Sequence, residues 1–360
     1  MGIYIGAENI ITPLGKTVTD NFEAVKNNRS GGKRFEHNGF NKEAAFLIKF
    51  DQNNTASFNE LIDECLIGVM EKLPQNTLSS DKTLLILSTT KGNIAANLDD
   101  GIASVCKGLK SKYDLKNEPL AISNACISGV LAINVAADYL NADLYKNVIV
   151  IGCDIISDFV LFGFQSLFAL SDEACRPFDE NRKGINLGEG CAAVVLSKSA
   201  AIFQKKPLVY VSGSSSNDAN HISGPSRNGE GLYRTVSKTL KLAQLSPKDI
   251  DFISGHGTAT VFNDEMESIA FDQLNMSHIP INSLKGYFGH TLGAAGLIET
   301  VISMQAIRNN LLLKSLGYAS QGTSRQLNII TENQETEINT ILKTASGFGG
   351  CNASLIIKQA

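Results

Sequence analysis

Three residues of this chain have the type and the setting to do covalent chemistry together. Cys126 stands in Ser123-Asn124-Ala125-Cys126-Ile127-Ser128-Gly129, between a strand-like run and a helix-like one. A thiol at such a junction faces unpaired amides and the positive end of a helix dipole, which favour the thiolate. Small neighbours on both sides permit a sharp turn, as in a nucleophile elbow. His256 stands between Gly255 and Gly257 at the end of an apolar run. Ligands of open α/β sheets bind at the C-terminal ends of strands, and flanking glycines let a substrate reach the imidazole. His290 follows Lys285-Gly286-Tyr287-Phe288-Gly289 and opens Thr291-Leu292-Gly293-Ala294-Ala295-Gly296, a segment whose glycines allow close helix packing. A thiolate takes an acyl group as a thioester. Two imidazoles can then polarise a thioester carbonyl as charge builds on its oxygen. The set suits acyl transfer and carbon–carbon bond formation.

Each segment alone also fits a structural role. Cys126 reads equally as a buried thiol at a strand end, His256 as a structural imidazole, and Lys285 as a surface charge. Ser346-Gly347-Phe348-Gly349-Gly350-Cys351-Asn352 reads as a tight hairpin. It is not a dinucleotide fingerprint, because a strand and not a helix follows it. Gly15-Lys16-Thr17 ends like a phosphate loop, but the first glycine of that motif would fall on Ile10.

The elements that must position these residues alternate. Strands are expected at Ile3 to Ile11, Thr83 to Leu87, Leu120 to Ser123 and Val148 to Cys153, with helices at Val18 to Asn28, Phe58 to Leu73, Asn93 to Leu109 and Ile127 to Leu140. Ser30 to Asn54 reads as an irregular excursion, and polar Ser197 to Lys206 as a hinge. The pattern then restarts, with strands at Leu208, Ile250 and Ile279, helices from Gly231, Glu265 and Leu292, and two closing strands near Ile338 to Thr344 and Ala353 to Ile357. Helices alternating with apolar strands mean an α/β fold. Two similar sets of elements suggest a duplication, with halves 1–200 and 201–360, although no sequence repeat is visible.

Composition removes other classes. With 32 Lys+Arg against 36 Asp+Glu, the net charge is −4, which argues against nucleic acid as the main partner. The most apolar stretch, Phe159 to Leu170, is 12 residues long and broken by polar side chains, against roughly 20 for a membrane-spanning helix. No signal peptide is expected, and a soluble, cytoplasmic protein is. Seven cysteines, none spaced as CxxC, make neither a disulfide framework nor a zinc finger, so no metal is expected.

Taken together, the four segments resemble the β-ketoacyl-acyl carrier protein synthase family of the thiolase superfamily, in its elongating Cys-His-His form. Supporting segments follow in the family's order: Ile11-Thr12-Pro13-Leu14-Gly15, Cys175-Arg176-Pro177-Phe178-Asp179, Gly188-Glu189-Gly190 and Asn217-Asp218-Ala219. The resemblance implies a thiolase-like fold, two similar halves in an α-β-α-β-α layering. It implies that Cys126 is the acylated nucleophile, and that His256 and His290 assist decarboxylation of a malonyl extender. Lys285 resembles the family's active-site lysine, with Glu299 as its ion partner and Asp264 in support. The amides of Cys126 and Phe348 resemble the oxyanion hole, Phe348 the gate over the acyl chain, and Thr258 and Thr260 the threonines that bind the phosphopantetheine arm. It also implies an acyl carrier protein as partner, a homodimer or a heterodimer with a related subunit, and no cofactor beyond the carrier's phosphopantetheine.

Departures from the family pattern bear on substrate and carrier. Thr344-Ala345-Ser346 replaces Asn-Ser-Phe, and Ile185 follows Gly184 where an aromatic is usual. The basic helix of the carrier-docking surface is reduced to Lys42 and Lys49, and the chain is shorter than typical members. The other readings are a non-catalytic chain-length-factor partner, a degradative thiolase using Cys351, and an initiating synthase. They fit less well: the nucleophile is present, and His290 stands where those enzymes lack histidine.

Overall fold

The computed structural model describes residues 2–36, 43–51, 57–94, 101–218, 224 and 226–360. Lys42, Ala219 and part of the helix expected from Asn93 lie outside them. The first half runs β1 (Ile3–Ile11), α1 (Val18–Lys26), β2 (Lys33–Phe35), β3 (Ala45–Ile48), α2 (Phe58–Met70), β4 (Thr83–Ser88), α3 (Ile102–Lys112), β5 (Leu120–Ile122), α4 (Ser128–Asn141), β6 (Asn147–Asp154), α5 (Asp158–Ser166), β7 (Leu187–Gly188) and β8 (Gly190–Ser197). The second runs β9 (Leu208–Asn217), α6 (Glu230–Ala243), β10 (Phe252–Ser254), α7 (Val261–Gln273), β11 (Ile281–Asn282), α8 (Lys285–Phe288), α9 (Ala295–Asn309), β12 (Leu311–Leu312), β13 (Gln334–Glu335), β14 (Thr340–Gly347) and β15 (Cys351–Lys358).

Among the described residues, ten strands form one hydrogen-bonded ladder in the order β11-β10-β14-β15-β9-β1-β8-β6-β4-β5. Within each half, the third, second, fourth, fifth and first of the strands it gives to this ladder lie side by side in that order. The directions repeat too. β4 is parallel to β5 and β6, while β8 is antiparallel to β6 and β1. Likewise β10 is parallel to β11 and β14, while β15 is antiparallel to β14 and β9. The halves join where Ile3, Tyr4 and Ile5 meet Tyr210, Val209 and Leu208.

β4 and β8 are buried along their whole length, which is why their sequences are apolar without alternation. Period-2 geometry still sorts their side chains. Leu85 and Leu87 face the outer cluster with Phe58, Leu61 and Val69 of α2, while Leu84 and Ile86 face the inner one. The inner cluster joins Val130 and Ile133 of α4 and Leu297 and Val301 of α9 to Val150 and Val194 of one half and Ile341 and Leu355 of the other. Leu232 and Val236 of α6 and Met266 and Phe271 of α7 cover the far face of the second half. The order is α-β-α-β-α. Helices apolar all round belong in the middle of such a stack, and α4 and α9 are of that kind.

The central helices touch backbone to backbone. A Cβ on Gly129 would lie 2.7 Å from the Leu297 nitrogen, and one on Gly296 would lie 2.9 Å from the Val130 nitrogen. This crossing brings the residues just ahead of α4 close to those just ahead of α9.

Several expectations change in detail. The excursion after Ser30 is not irregular throughout: β3 pairs with β2 on one side and β7 on the other in a small sheet ordered β2-β3-β7. The helix expected from Asn93 begins at Ile102 and runs to Lys112. His290 does not open a regular helix, because a 3-10 turn at Leu292–Ala294 precedes α9. The expected hinge carries a 3-10 turn, Ala200–Ile202. Among the described residues, no helix is long and apolar enough to cross a membrane.

Gly129→Ala should force α4 and α9 apart, at a cost of ~1–3 kcal/mol. Thermal unfolding of the variant should come a few degrees lower; an unchanged melting temperature would contradict the close crossing.

Candidate active site

The loop after β5 turns sharply to put Cys126 ahead of α4. Ala125 sits in the left-handed region at φ 43°, where only a tight turn holds a non-glycine residue. Ser128 secures it: its Oγ accepts the Asn124 N–H at 2.7 Å and donates to the Ala125 carbonyl at 2.7 Å. Cys126 is only 6% exposed. Burial pushes its thiol up to about 12, with Cys351 adding to the rise, while Lys285 and the Phe348 amide pull the other way. This corrects the expectation of a resting thiolate. Desolvation of the buried sulfur outweighs the helix terminus.

His256 lies just past β10, and α7 holds its backbone. Glu267 accepts the His256 N–H at 2.8 Å and the Gly257 N–H at 2.6 Å. One turn earlier, Asp264 accepts the N–H groups of Thr258 (2.8 Å), Ala259 (3.1 Å) and Phe178 (2.6 Å). Burial pushes Glu267 up to about 7 and raises Asp264 as well, against the amides that bind them. Thr258 and Thr260 hydroxyls bond each other at 2.8 Å on the same loop.

His290 is held from another side. Its N–H donates to the Asn186 carbonyl at 2.7 Å, and its carbonyl accepts the Gly188 N–H at 3.0 Å, so β7 fixes its backbone. Asp154, buried at the end of β6, accepts the Gly293 N–H at 2.8 Å and pairs with buried Lys91 at 3.0 Å, fixing the turn that follows. His290 is 1% exposed, and among the described residues no protein group hydrogen-bonds its ring nitrogens.

These placements bring the expected groups together. The Cys126 sulfur and one nitrogen from each of His256 and His290 lie within 4.8 Å of one another. The two rings stand nearly perpendicular, with centroids 5.4 Å apart. Lys285 Nζ lies 3.4 Å from His256 Nδ1 and 2.6 Å from Glu299. Phe348 stacks on Phe164 at 5.3 Å, and the Phe164 edge meets His290 at 6.3 Å. A Cβ on Gly347 would lie 3.1 Å from the Cys126 nitrogen, so the Phe348 loop passes directly over that amide. Cys351 is not among the imidazoles' partners; its thiol contacts the Phe348 carbonyl at 3.1 Å. Both imidazoles are held well below their ordinary range by burial first, then by the ammonium groups of Lys285 and Lys343, so they are neutral.

Two functional-site residues escaped the sequence reading. Lys343, fully buried on β14, lies 2.6 Å from Glu299 and donates to the carbonyls of Ser254 (3.3 Å) and Gly255 (3.1 Å). Its signal was a charge inside an apolar run, Ile341-Leu342-Lys343. Glu267, the carboxylate one turn beyond Asp264, was legible only as part of a helix face.

A thiol pushed up to about 12 should alkylate slowly at neutral pH. With iodoacetamide, the rate at Cys126 should rise about tenfold per pH unit between about pH 7 and 10, without a plateau. A plateau below about pH 9 would mean a thiolate in the resting site.

The chain is similar to known proteins in sequence and in fold. The N-terminal domain model of the beta-ketoacyl synthases matches residues 64–201, and their C-terminal domain model matches residues 208–319. The chain is 27% identical to a 3-oxoacyl-[acyl-carrier-protein] synthase 2 of Coxiella burnetii over 408 aligned positions, covering 99% of this chain and 98% of that protein. It is 33% identical over 258 positions to a putative mitochondrial 3-oxoacyl-[acyl-carrier-protein] synthase of Schizosaccharomyces pombe, covering 66% of this chain and 60% of that one. In fold it matches a ketosynthase solved in complex with its chain length factor from Xenorhabdus doucetiae, with a TM-score of 0.89 at 24% identity, over 100% of this chain and 98% of that one. With both halves matched in order around one buried cysteine and two neutral histidines, the chain belongs to the β-ketoacyl synthase family, the acyltransferase-type condensing enzymes with a thiolase-like fold.

Proposed function

We propose that this chain elongates acyl groups by decarboxylative condensation, in fatty-acid, polyene or polyketide synthesis, with both substrates delivered on the phosphopantetheine of an acyl carrier protein. The observation that carries the reading is the convergence of three buried groups, the Cys126 sulfur and one nitrogen from each of His256 and His290 all lying within 4.8 Å of one another. A neutral imidazole that no described protein group engages can donate a hydrogen bond to a substrate oxygen.

In the first step the Cys126 sulfur attacks the acyl thioester. The oxyanion is held by the amides of Cys126 and Phe348, and the carrier's thiol leaves. The proton of a thiol pushed up to about 12 passes through a neutral imidazole to the departing carrier sulfur, so both rings are neutral again before the second step. In the second step malonyl-carrier loses CO2. The enolate oxygen accepts hydrogen bonds from His256 and His290, and its carbon attacks the acyl thioester. A carbon–carbon bond forms, and the Cys126 sulfur leaves to start again. Lys285, paired with Glu299, orients His256, and Asp264 holds the loop on which Thr258 and Thr260 meet the phosphopantetheine arm.

The repeated strand order supports residues 1–200 as the half that supplies the nucleophile and 201–360 as the half that supplies the two histidines. A dimer, with itself or with a related subunit, and a cytoplasmic setting belong to the same proposal. The complete cysteine and histidine set counts against a purely chain-length-setting role.

Mass spectrometry after mixing with acyl-carriers should find the acyl adduct on Cys126 and none in Cys126→Ala. His256→Ala and His290→Ala should each slow malonyl-carrier decarboxylation by ~100-fold or more. Full decarboxylation in both histidine variants, or an adduct on Cys126→Ala, would defeat the assignment.

A further inference from the structure

The mechanism leaves one buried charge without a task. Lys343 is 0% exposed, on a strand whose neighbours are apolar or small. Such an ammonium is costly unless its surroundings compensate it. Here Glu299 lies 2.6 Å from it, and the carbonyls of Ser254 and Gly255 accept from it at 3.3 and 3.1 Å. β10 and β14 run parallel with Ser254 opposite Lys343, so these are the last carbonyls before His256. The other Glu299 oxygen is 2.6 Å from Lys285, whose Nζ contacts His256. Two ammonium groups therefore share the Glu299 carboxylate beneath the imidazoles, with Glu267 attracting Lys343 in addition while its own charge is opposed by burial.

We propose that Lys343 is a positioning residue of the condensing site: a fixed internal cation that clamps the strand end carrying His256 to Glu299 and sets a positive potential under both imidazoles. The inference rests on the condensing-enzyme reading and adds a member to its site. Such a potential opposes a proton on either ring and favours the developing enolate. The other titratable groups around the pair are Lys285 on α8, Glu299 on α9, Glu267 and Asp264 on α7, Cys126 ahead of α4 and Asp154 on β6. Glu267 and Asp264 are engaged by backbone amides, and Asp154 by Lys91 and Gly293. Lys285 and Lys343 are the cations that hold His256 and His290 below their ordinary range, after burial itself.

Two variants separate the charge from the clamp. Lys343→Gln keeps a donor for the two carbonyls and removes the charge, and Lys343→Met removes both. In protein labelled with 15N-histidine, with His256→Ala and His290→Ala to assign the signals, both rings should take up protons about one pH unit higher in Lys343→Gln than in the unmodified chain. The acid limb of malonyl decarboxylation should move up by the same amount. Lys343→Met should show that shift and a further loss of rate, because His256 is no longer clamped. Imidazole titrations unchanged in Lys343→Gln would overturn the proposal, and so would loss of the fold in both variants, which would make Lys343 a folding residue only. An unmodified chain unable to decarboxylate malonyl-carrier would overturn the condensing reading instead, and the imidazole titrations would still decide the role of Lys343.

Discussion

The crossing of α4 and α9 is the constraint on which the rest depends. Gly129 and Gly296 let the two helices meet at backbone distance, where any side chain would separate them. Cys126 precedes one helix and His290 the turn into the other, so their approach follows from that contact. The ladder on either side adds the remaining parts. β10 delivers His256, the loop between β14 and β15 delivers Phe348, and β7 fixes the His290 backbone. A catalytic set drawn from several strand ends needs a rigid common reference, and the buried helix pair supplies it.

Around that frame the site is shut off from bulk solvent and carries more charge than a core usually tolerates. Lys285, Lys343, Glu299, Glu267 and Asp264 are all buried. Removing such groups from water costs several kcal/mol each unless partners replace the lost solvation. The partners are present: Glu299 binds both ammonium groups, and the two carboxylates of α7 bind backbone amides. The same burial sets the resting protonation. Desolvation raises the Cys126 thiol and lowers both imidazoles, leaving all three uncharged before substrate arrives. The dipole argument for a resting thiolate fails here because a half-charge at a helix end is smaller than the cost of burying a full one.

Much of this was legible in the residues. Apolar runs without alternation marked the strands buried on both faces, and their alternation with helices marked the α/β class. Cys126, His256 and His290 stood out because each reactive side chain sat beside glycine or small residues at a junction between elements. Lys285 and Glu299 were recognisable only through resemblance, since fourteen positions apart they share no local pattern.

What the sequence determined by itself was therefore local: which segments are strands or helices, and which reactive side chains sit at their ends. Tertiary structure decided everything that depends on distance between remote segments. It joined β2, β3 and β7 into one small sheet, which three- and four-residue runs cannot announce. It repeated one strand order in two halves, because hydrogen-bond topology constrains backbones and leaves side chains free to diverge. It brought Lys343 to the carbonyls ahead of His256, although 88 positions separate Lys343 from Gly255. It also set the protonation of the thiol and the imidazoles, because desolvation is a property of the surrounding volume and no spacing along a chain encodes it.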